Sequence, residues 1–577
     1  MPSMCDVAST QSQYQHQLKQ LFITRLLSGR PARLKETVIA VLGLNLDPIR
    51  DDLIALYSKS GHGNPHDPMT LFRSLLLMLA LGETSVNKWV ALVRGDDTLA
   101  RLCGWNPEVR ETPGVGTVYR FIDRIVDGPE PSISSSTPRA QQRIKRSTLR
   151  QRSRGRYLRL LAKEKEELRK EKPPEGRINA AAKSASALMK GDVARLDLPH
   201  RLNQWLFKLV VVESFKRDLF GDLREGLHIS ADGSVVASQG NGRGHAQDKE
   251  TEARLAIEAK EKAAAAKTKA EAKAILDAAK KDKDTRPRFY SDLDATWIWS
   301  KHKNSWFFGH RLHVLMHKNG SVELPLYVSA NTANMADGEM AAFDLADLSF
   351  ALKEHLPQTR IGYFIADTGY DAVELYRMCM DHDIVPVISL HPNSERLFER
   401  DGIKFSKDGR PLCRGGLEMR DNGYNPRTRT HAMHCGIKRA THVGGKYKIV
   451  AHLDECPLGV LCDESKMGPF VHIAAKDDPR RHTRLLRSSN KFKKIYEERT
   501  ATERFFGHAK ENDGRLGKRP YRMQHMYALM GVLHAILIHR RKHVVHDFGD
   551  VRNDPEAYAR ALASLTAPPA ESIQVPA

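Results

Sequence analysis

The spacing of apolar residues changes along the chain, from a helical repeat near the start to strand-like runs after residue 226. Residues 15–127 contain several helix patterns, and the segment 71–81 is the most apolar of them. Polar start signals precede helices at Thr84 and Thr112. Short capped helices of this kind, with Arg120 and Arg124 on the last one, fit two interpretations. One is a helix-turn-helix-like DNA-binding domain, and the other is a helical bundle that only supports the fold.

Apolar runs with β-branched residues predict strands in the second half of the chain. They occupy residues 227–237, 308–315, 322–328, 361–366 and 384–390. Helix patterns at 336–353 and 371–382 separate some of these runs. Strands that alternate with helices predict an α/β fold. We expect this core to span residues 226–545, with one strand ending near Asp232 and another at Asp367.

Four further segments do not follow the core pattern. Residues 247–285 are rich in Ala, Lys and Glu and predict one long, exposed helix within the core. Residues 391–485 are polar and strand-like, which predicts a β-rich insertion. Residues 128–225 are predicted to form a basic linker followed by helices, and 546–577 a flexible C-terminal tail.

The charge of the chain points to a polyanionic partner. The net charge is +21 and the sequence pI is about 9.6. Residues 139–172, here called the basic arm, hold 14 basic and 4 acidic residues, close to half of this excess. A solvated arm is the plain alternative, but such a run also binds phosphates without sequence specificity. The candidate DNA-binding residues of the arm are Arg143, Lys145, Arg146, Arg150 and Arg152.

The number of cysteines and the hydropathy of the chain predict its cellular compartment. Seven cysteines in 577 residues do not make a disulfide framework. The first 20 residues lack an apolar leader, and the most apolar segments are too short to span a bilayer. We therefore expect a soluble, cytoplasmic protein without membrane contact.

Four of the cysteines fall in the predicted β-rich insertion. They are separated by 21, 20 and 5 residues, and they are Cys413, Cys435, Cys456 and Cys462. Structural zinc sites usually contain closer pairs of the CxxC type. The spacing therefore favours buried or unpaired thiols and makes zinc the less favoured alternative.

One segment near the C-terminus carries functional side chains at helical spacing. Tyr496, Arg499, Glu503 and Lys510 stand at i, i+3, i+7 and i+14. At about 100° per residue they fall within a ~60° arc of an ideal helix. A carboxylate among groups suited to phosphate binding suggests metal-assisted chemistry on nucleic acid.

Asp232, Asp367 and Glu503 are the candidate catalytic and metal-binding residues. Carboxylates at the ends of neighbouring strands converge at one edge of an α/β sheet. Together they repel unless a cation is present, and oxygen ligands suit Mg²⁺ or Mn²⁺, here two ions. An Asp after a strand is often only a turn residue, which is the alternative for each aspartate alone. Asp337, at the start of a predicted helix, could support the metal ligands from behind, but helix capping is the favoured interpretation.

These motifs resemble those of DDE transposases from bacterial insertion sequences. The Tyr-x2-Arg-x3-Glu-x6-Lys signature of one group is matched by Tyr496, Arg499, Glu503 and Lys510. The segments around Asp232 and Asp367 look like the first and second Asp motifs of that group. The segments 291–295 and 308–313 resemble the stretch between those two motifs, and residues 65–121 are similar to the helical domain that precedes the catalytic core.

The resemblance implies an RNase H-like catalytic core with a β-rich insertion, preceded by a helical N-terminal domain. It implies that Asp232, Asp367 and Glu503 bind the metal ions. Tyr496, Arg499 and Lys510 would contact phosphates near the cut. A homodimer would process two DNA ends together, in the bacterial cytoplasm and in association with the nucleoid.

The leading hypothesis is a transposase that cuts double-stranded DNA at the ends of its element and joins the 3′-hydroxyl ends to target DNA. Two alternatives stay open. One is a metal-dependent nuclease of the same fold without strand transfer, and the other is a non-catalytic DNA-binding derivative.

Overall fold

The computed structural model describes most of the chain between residues 7 and 565. The described ranges are 7–20, 32–57, 66–108, 112–127, 175–192, 194–195, 197–242, 245–246, 249–285, 288–289, 292, 294–300, 304–394, 396–443, 446–460, 462–466, 468–512, 516–518 and 520–565. The basic arm, with its predicted DNA contacts, lies outside these ranges.

Short helices occupy the described residues before 128, in agreement with the apolar spacing. They are α1 (Gln11–Gln20), α2 (Ala32–Leu42), α3 (Arg50–Ile54), α4 (Pro68–Ala80), α5 (Val86–Gly95), α6 (Asp97–Cys103) and α7 (Val115–Asp127). Helix α4 begins after Asp67, whose carboxylate accepts a hydrogen bond from the Met69 N–H at 2.8 Å. Helix α5 begins after Ser85, whose hydroxyl oxygen caps the Lys88 N–H. These side-chain caps satisfy backbone donors that have no partner inside the helix.

Helices α8 (Arg177–Lys190), α9 (Leu198–Leu206) and α10 (Val212–Lys216) lead into the first strand, β1 (Leu227–Ala237). The segment that follows was predicted to be one long helix, and this prediction was wrong. It contains two helices, α11 (Lys249–Ala264) and α12 (Lys269–Thr285), which pack against each other between the short strands β2 (His245–Ala246) and β3 (Arg288–Phe289). The turn between them contains residues 265–268, and the Thr268 hydroxyl caps the start of α12 by accepting a hydrogen bond from the Glu271 N–H at 3.2 Å.

The central sheet is mixed and six-stranded, which confirms an α/β fold. Besides β1 it contains β4 (Thr296–Ser300), β5 (Ser305–Asn319), β6 (Val322–Thr332), β7 (Ile361–Ala366) and β8 (Val385–Ile388). Strand β5 pairs antiparallel with β1, β4 and β6. Strands β1, β7 and β8 are parallel neighbours. Helix α13 (Asp337–His355) connects β6 to β7, and α14 (Val373–Asp381) connects β7 to β8.

A polar, strand-rich insertion follows β8, as the sequence predicted. Its strands are β9 (Phe398–Arg400), β10 (Ile403–Phe405), β11 (Arg420–Asn425), β12 (Thr430–His434), β13 (Lys438–Val443), β14 (Lys446–Ala451) and β15 (Phe470–Ala474). They form small sheets, namely β9–β10, β11–β12–β15 and β13–β14. The apolar cluster of the insertion is small and centres on Phe405, Met419, Met433, Ile473 and Leu486.

The chain then returns to the core through α15 (Asn490–Tyr496), α16 (Thr500–Gly507), α17 (Gln524–Phe548) and α18 (Pro555–Ser564). Helix α17 is apolar on most of its surface and packs against β6, α2 and α9. A flexible tail after residue 545 was predicted, but α18 is ordered and buries Ala557 and Ala561 in the main core. Asp554 caps this helix through the Glu556 N–H, and Pro555 stands at its first position.

One continuous apolar core joins the N-terminal helices, the sheet and α17. The N-terminal segment is helical as predicted, but it shares this core with the sheet instead of enclosing one of its own. Whether its helices bind DNA stays a prediction. No helix within the described ranges is long and apolar enough to cross a membrane.

The parallel pairing of β1 with β7 depends on Gly362. The register between the two strands shifts at Leu227 and His228, opposite Gly362. A Cβ atom at residue 362 would stand 1.9 Å from the backbone oxygen of Glu225. We expect Gly362→Ala to lower the free energy of unfolding by about 3 kcal/mol, because backbone atoms must move apart. Urea denaturation measures this change.

Gly95→Ala is the matched control for that substitution. Gly95 is exposed at the end of α5, and no atom lies within 4 Å of a Cβ built there. Its unfolding free energy should stay within about 0.5 kcal/mol of wild type. Equal effects of the two substitutions would contradict the proposed close approach of the strands.

Candidate active site

Asp232 and Asp367 lie side by side on neighbouring parallel strands. In the register of β1 and β7, Ser230 pairs with Ile365, so two residues further along Asp232 faces Asp367. Asp367 ends β7 and accepts a hydrogen bond from the Gly369 N–H at 2.8 Å. Asp232 lies within β1, which continues to Ala237, so the prediction that the strand ends near this residue was wrong. Antiparallel pairing with β5, for example of Asp232 with Val314, extends the strand.

The carboxylate of Asp232 is in an electrostatically unfavourable place. Burial raises its pKa to about 6, and the negative charges of Asp337 and Asp367 add to this shift. The buried phenol of Tyr370 is affected by the same three carboxylates, which with burial raise its pKa well above the ordinary value. Asp232, Asp337 and Asp367 therefore surround one small region, where a cation would relieve their repulsion.

Asp337 acts electrostatically on Asp232, which agrees with the less favoured of its two predicted roles. It was predicted to cap α13, but Glu339 makes the capping contact by accepting a hydrogen bond from the Ala336 N–H at 2.9 Å. Asp337 instead forms an ion pair with Arg311 of β5. Its other carboxylate oxygen, Oδ1, is buried and accepts no hydrogen bond from the described residues. A Cβ atom at Gly233 would lie 1.7 Å from this oxygen, so glycine next to Asp232 makes room for it.

A buried hydrogen-bond network supports Tyr370 beside the three carboxylates. His313 of β5 is 3.0 Å from the Tyr370 hydroxyl through Nε2 and 2.7 Å from Asp344 Oδ2 through Nδ1. Asp344 Oδ2 also accepts a hydrogen bond from Ser329 at 2.6 Å. The network fixes the residues beneath the acidic cluster, and His313 lowers the pKa of Asp232 slightly against the larger raising effects.

Glu503 lies on α16, which packs against β1 and β5. The buried face of α16 contains Ala501, Phe505 and Phe506, while the Glu503 side chain is 54% exposed. Arg499 donates a hydrogen bond to Glu503 at 2.7 Å. Burial alone would lower the pKa of Arg499, but negative charge from Tyr496, Glu503 and Asp232 raises it. Arg499 therefore lies within electrostatic range of both Glu503 and Asp232.

The segment that carries the four signature residues was predicted to be one uniform helix, and this prediction was wrong. A 3₁₀ turn at Glu497–Arg499 separates α15 from α16, and a π-helical turn follows at His508–Asn512. The 3₁₀ turn has about 3.0 residues per turn and changes the phase of the side chains. The ~60° arc calculated for an ideal helix therefore does not apply.

The three predicted phosphate contacts have different surroundings. Tyr496 stacks on Phe492, with ring centroids 6.1 Å apart. Lys510 points at β1, where its ammonium donates to the Val235 carbonyl at 2.9 Å and also to the Ser234 hydroxyl. Contact of Tyr496, Arg499 and Lys510 with DNA stays a prediction. Glu498, which could be confused with Glu503 in sequence, is instead 2.9 Å from the His228 ring.

The chemistry of the acidic cluster fits a hard divalent cation. Hard cations prefer carboxylate oxygens, and the cluster offers an oxygen of Asp337 that accepts no hydrogen bond and a destabilised charge on Asp232. Among the described residues, however, no three His, Cys, Asp or Glu side chains are gathered as a metal-binding group. Glu503, the third predicted ligand, is paired with Arg499 at 2.7 Å.

A second buried pair stabilises the sheet next to the site. His310 Nε2 is 2.9 Å from Asp292 Oδ2, and both side chains are fully buried. The same carboxylate accepts hydrogen bonds from Ser238 and from the Met523 N–H at 3.0 Å. Burial opposes ionisation, but the hydrogen bond and charge of His310 prevail and lower the pKa of Asp292 to about 2. The pair therefore ties β5 to the start of α17.

This depressed pKa predicts an acid-dependent loss of stability. A carboxylate whose pKa is lower in the folded state stabilises the fold fully above its unfolded pKa, and this contribution disappears as the pH falls towards 2. We expect Asp292→Asn to be about 2 kcal/mol less stable than wild type at pH 6, and this difference in unfolding free energy should be about half as large at pH 3. Urea denaturation at the two pH values measures the difference. A difference that does not change with pH would contradict this assignment.

Comparison with known proteins places the second half of the chain in a family. Residues 279–538 match the family model of the transposase DDE domain. The match contains Asp367 and Glu503 and begins after Asp232. No curated protein and no solved structure shows a significant match to the chain. The matched segment is therefore identified as a transposase DDE domain.

Proposed function

We propose that the protein cuts DNA at the ends of its mobile element and joins the freed 3′-hydroxyl ends to target DNA. The match of residues 279–538 to the transposase DDE domain supports a transposase-type activity with DNA as the partner. The observation that carries the proposal is the proximity of Asp232, in β1, to Asp367, directly after the neighbouring parallel strand β7, where burial and neighbouring carboxylates raise the pKa of Asp232. The mixed sheet around them also supports the proposed RNase H-like core.

Asp232, Asp367 and Glu503 would bind divalent cations, Mg²⁺ or Mn²⁺, in this site. Two such ions activate the attacking hydroxyl and stabilise the leaving oxygen of a phosphodiester. Asp232 and Asp367 are held at a fixed spacing by the strand register, which suits two ligands that must not move during the reaction. Asp337 adds negative charge at the same place and raises the attraction for a cation.

Glu503 would exchange its partner when the site is loaded. Its ion pair with Arg499 is largely exposed on the Glu503 side, so the net stabilisation from this contact is small. When Glu503 turns to the metal, Arg499 is free to neutralise a phosphate of the DNA backbone. A planar guanidinium suits phosphate oxygens, which it binds with two parallel hydrogen bonds. One pair of residues would thus connect metal binding to DNA binding.

The remaining DNA contacts would come from Tyr496, Lys510 and the basic arm. Lys510 already fixes the helix end to Ser234 and Val235, two and three residues after Asp232. In this position it would align α16 with β1 as well as attract phosphate. A homodimer that holds two DNA ends would complete the working complex, and the protein would act in the bacterial cytoplasm.

The test is a cutting and joining assay on DNA that carries the ends flanking the gene. We expect the wild-type protein with Mg²⁺ to nick at the element ends and then to join the 3′ ends to a supercoiled plasmid. Pre-cut ends should be joined without a nicking step. Nicking without any joining of pre-cut paired ends would favour the nuclease alternative, and DNA binding without either reaction would favour the non-catalytic one.

A further inference from the structure

The insertion between β8 and α15 brings four cysteines to one cavity. Cys413, Cys435, Cys456 and Cys462 all line it, although they are up to 49 positions apart in the chain. All four are free thiols. Their spacing in sequence argued against a zinc site, but the fold overrides the spacing because loops from different strands meet at this point.

Two of these cysteines begin turns of the same form. The Gly416 N–H donates to the Cys413 carbonyl and the Gly459 N–H to the Cys456 carbonyl, both at 2.9 Å. Gly416 and Gly459 have φ values of 79° and 64°, which glycine adopts readily. Turns that end in the left-handed region direct backbone N–H groups into a concavity that favours an anion, such as a thiolate.

Close packing joins the two turns to each other, and it joins the loop after Cys462 to Cys435. A Cβ atom at Gly415 would lie 3.5 Å from both Pro457 and Leu458, so the first turn contacts the second. A Cβ atom at Gly468 would lie 2.7 Å from the Cβ atom of Cys435, so the loop after Cys462 covers this residue closely. Glycine is therefore required at a contact that closes the cavity.

Lys438 adds a positive charge to the same cavity wall. Its ammonium donates to the carbonyls of Asp463 and Ser465 at 2.7 and 2.5 Å, which fixes the loop that carries Cys462. Zinc is bound by cysteine thiolates, and a lysine in the cavity wall would offset part of the negative charge of a four-cysteine site.

The surrounding insertion needs such a cross-link. Its apolar cluster contains only a few buried side chains, and the β13–β14 hairpin contributes none of them. Small units with little apolar core commonly depend on a metal or disulfides for stability. A four-cysteine zinc site would join β12, the loop after β10 and the loops after β14.

We propose that Cys413, Cys435, Cys456 and Cys462 bind one structural zinc ion that holds the insertion together. Within the described ranges no three metal-binding side chains already converge on one point. Binding would therefore draw the four sulfur atoms inward, which requires only side-chain rotation and small loop movements because all four cysteines lie outside regular strands. The proposal does not depend on the DNA chemistry of the distant acidic cluster.

Metal analysis of the reduced, full-length protein tests this inference. We expect about one zinc ion per chain after purification or after zinc addition and desalting. Titration of the zinc-loaded wild type with a mercurial reagent should release this zinc as about four thiols react. Cobalt in place of zinc should give the absorption bands of a tetrahedral thiolate complex.

Paired variants separate a specific site from general thiol binding. Cys413→Ala and Cys456→Ala should each lower zinc content at least about fivefold, whereas Cys379→Ala, which removes a buried thiol of α14, should retain it. The wild-type titration does not depend on whether the variants fold. Reduced wild-type protein that takes up neither zinc nor cobalt, or zinc content unchanged in both insertion variants, would overturn the proposal.

Discussion

Asp232→Asn should reduce Mg²⁺-dependent cutting of element ends at least about 10³-fold, while DNA binding stays within a few fold of wild type. The substitution keeps the shape of the side chain and removes the charge that would bind the cation. Single-turnover cutting and gel-shift binding on the same DNA measure the two quantities. Asp383→Asn is the matched control, because Asp383 is exposed and has φ of 57°, a conformation that asparagine also adopts.

In the absence of metal, Asp232→Asn should stabilise the folded protein, although it abolishes cutting. The pKa of folded Asp232 is about 6, which lies above its unfolded value of about 3.9. Its charge therefore costs folding free energy that is absent below pH 4 and complete above pH 6. Asp232→Asn should be about 2–3 kcal/mol more stable than wild type at pH 8 and nearly equal to it at pH 4. A variant less stable than wild type at pH 8 would contradict the repulsion described for this site.

The second large effect is expected at Glu503. Glu503→Gln should also lose cutting about 10³-fold, because a metal ligand is removed. Glu497→Gln, an exposed neighbour in the 3₁₀ turn, should cut like wild type. DNA binding by Glu503→Gln should be retained or improved, since Arg499 loses its charged partner.

Asp337→Asn distinguishes a metal ligand from a neighbouring charge. The negative charge of Asp337 acts on Asp232 and raises its pKa. If it only tunes that pKa, the variant should cut within about tenfold of wild type, and the acid limb of the rate profile should move to lower pH. An inactive Asp337→Asn together with an active Glu503→Gln would assign the third ligand to Asp337.

The paired aspartates were predictable because short-range patterns determine them. An apolar run followed by Asp367 and a glycine turn predicts a parallel strand with a polar end, and strand topology then places Asp232 beside it. The expectation that this strand ends near Asp232 was wrong because antiparallel pairing with β5 continues to Ala237. Asp337 was misinterpreted because its contact with Arg311 comes from tertiary packing, whereas its position in sequence is typical of a cap.

Helix phase and long-range clusters were the features that sequence could not determine. The 3₁₀ and π turns around α16 shift side chains such as Lys510 away from the arc of an ideal helix. The cavity of Cys413, Cys435, Cys456 and Cys462 depends on loops that meet only in the folded insertion. The ordered helix α18 was missed because its alanines pack into the main core, a tertiary contact that the local sequence does not show.

The metal preference of Asp367→Cys tests the central proposal most directly, namely that Asp232 and Asp367 bind catalytic divalent cations. A thiolate binds Mn²⁺ better than the harder Mg²⁺. The measured quantity is the ratio of the cutting rate in Mn²⁺ to that in Mg²⁺, compared with the ratio for wild type. We predict near-complete loss in Mg²⁺ and partial recovery in Mn²⁺, so that the ratio rises at least about tenfold. A ratio equal to that of wild type, or unimpaired cutting in Mg²⁺, would contradict a metal-binding role for this residue.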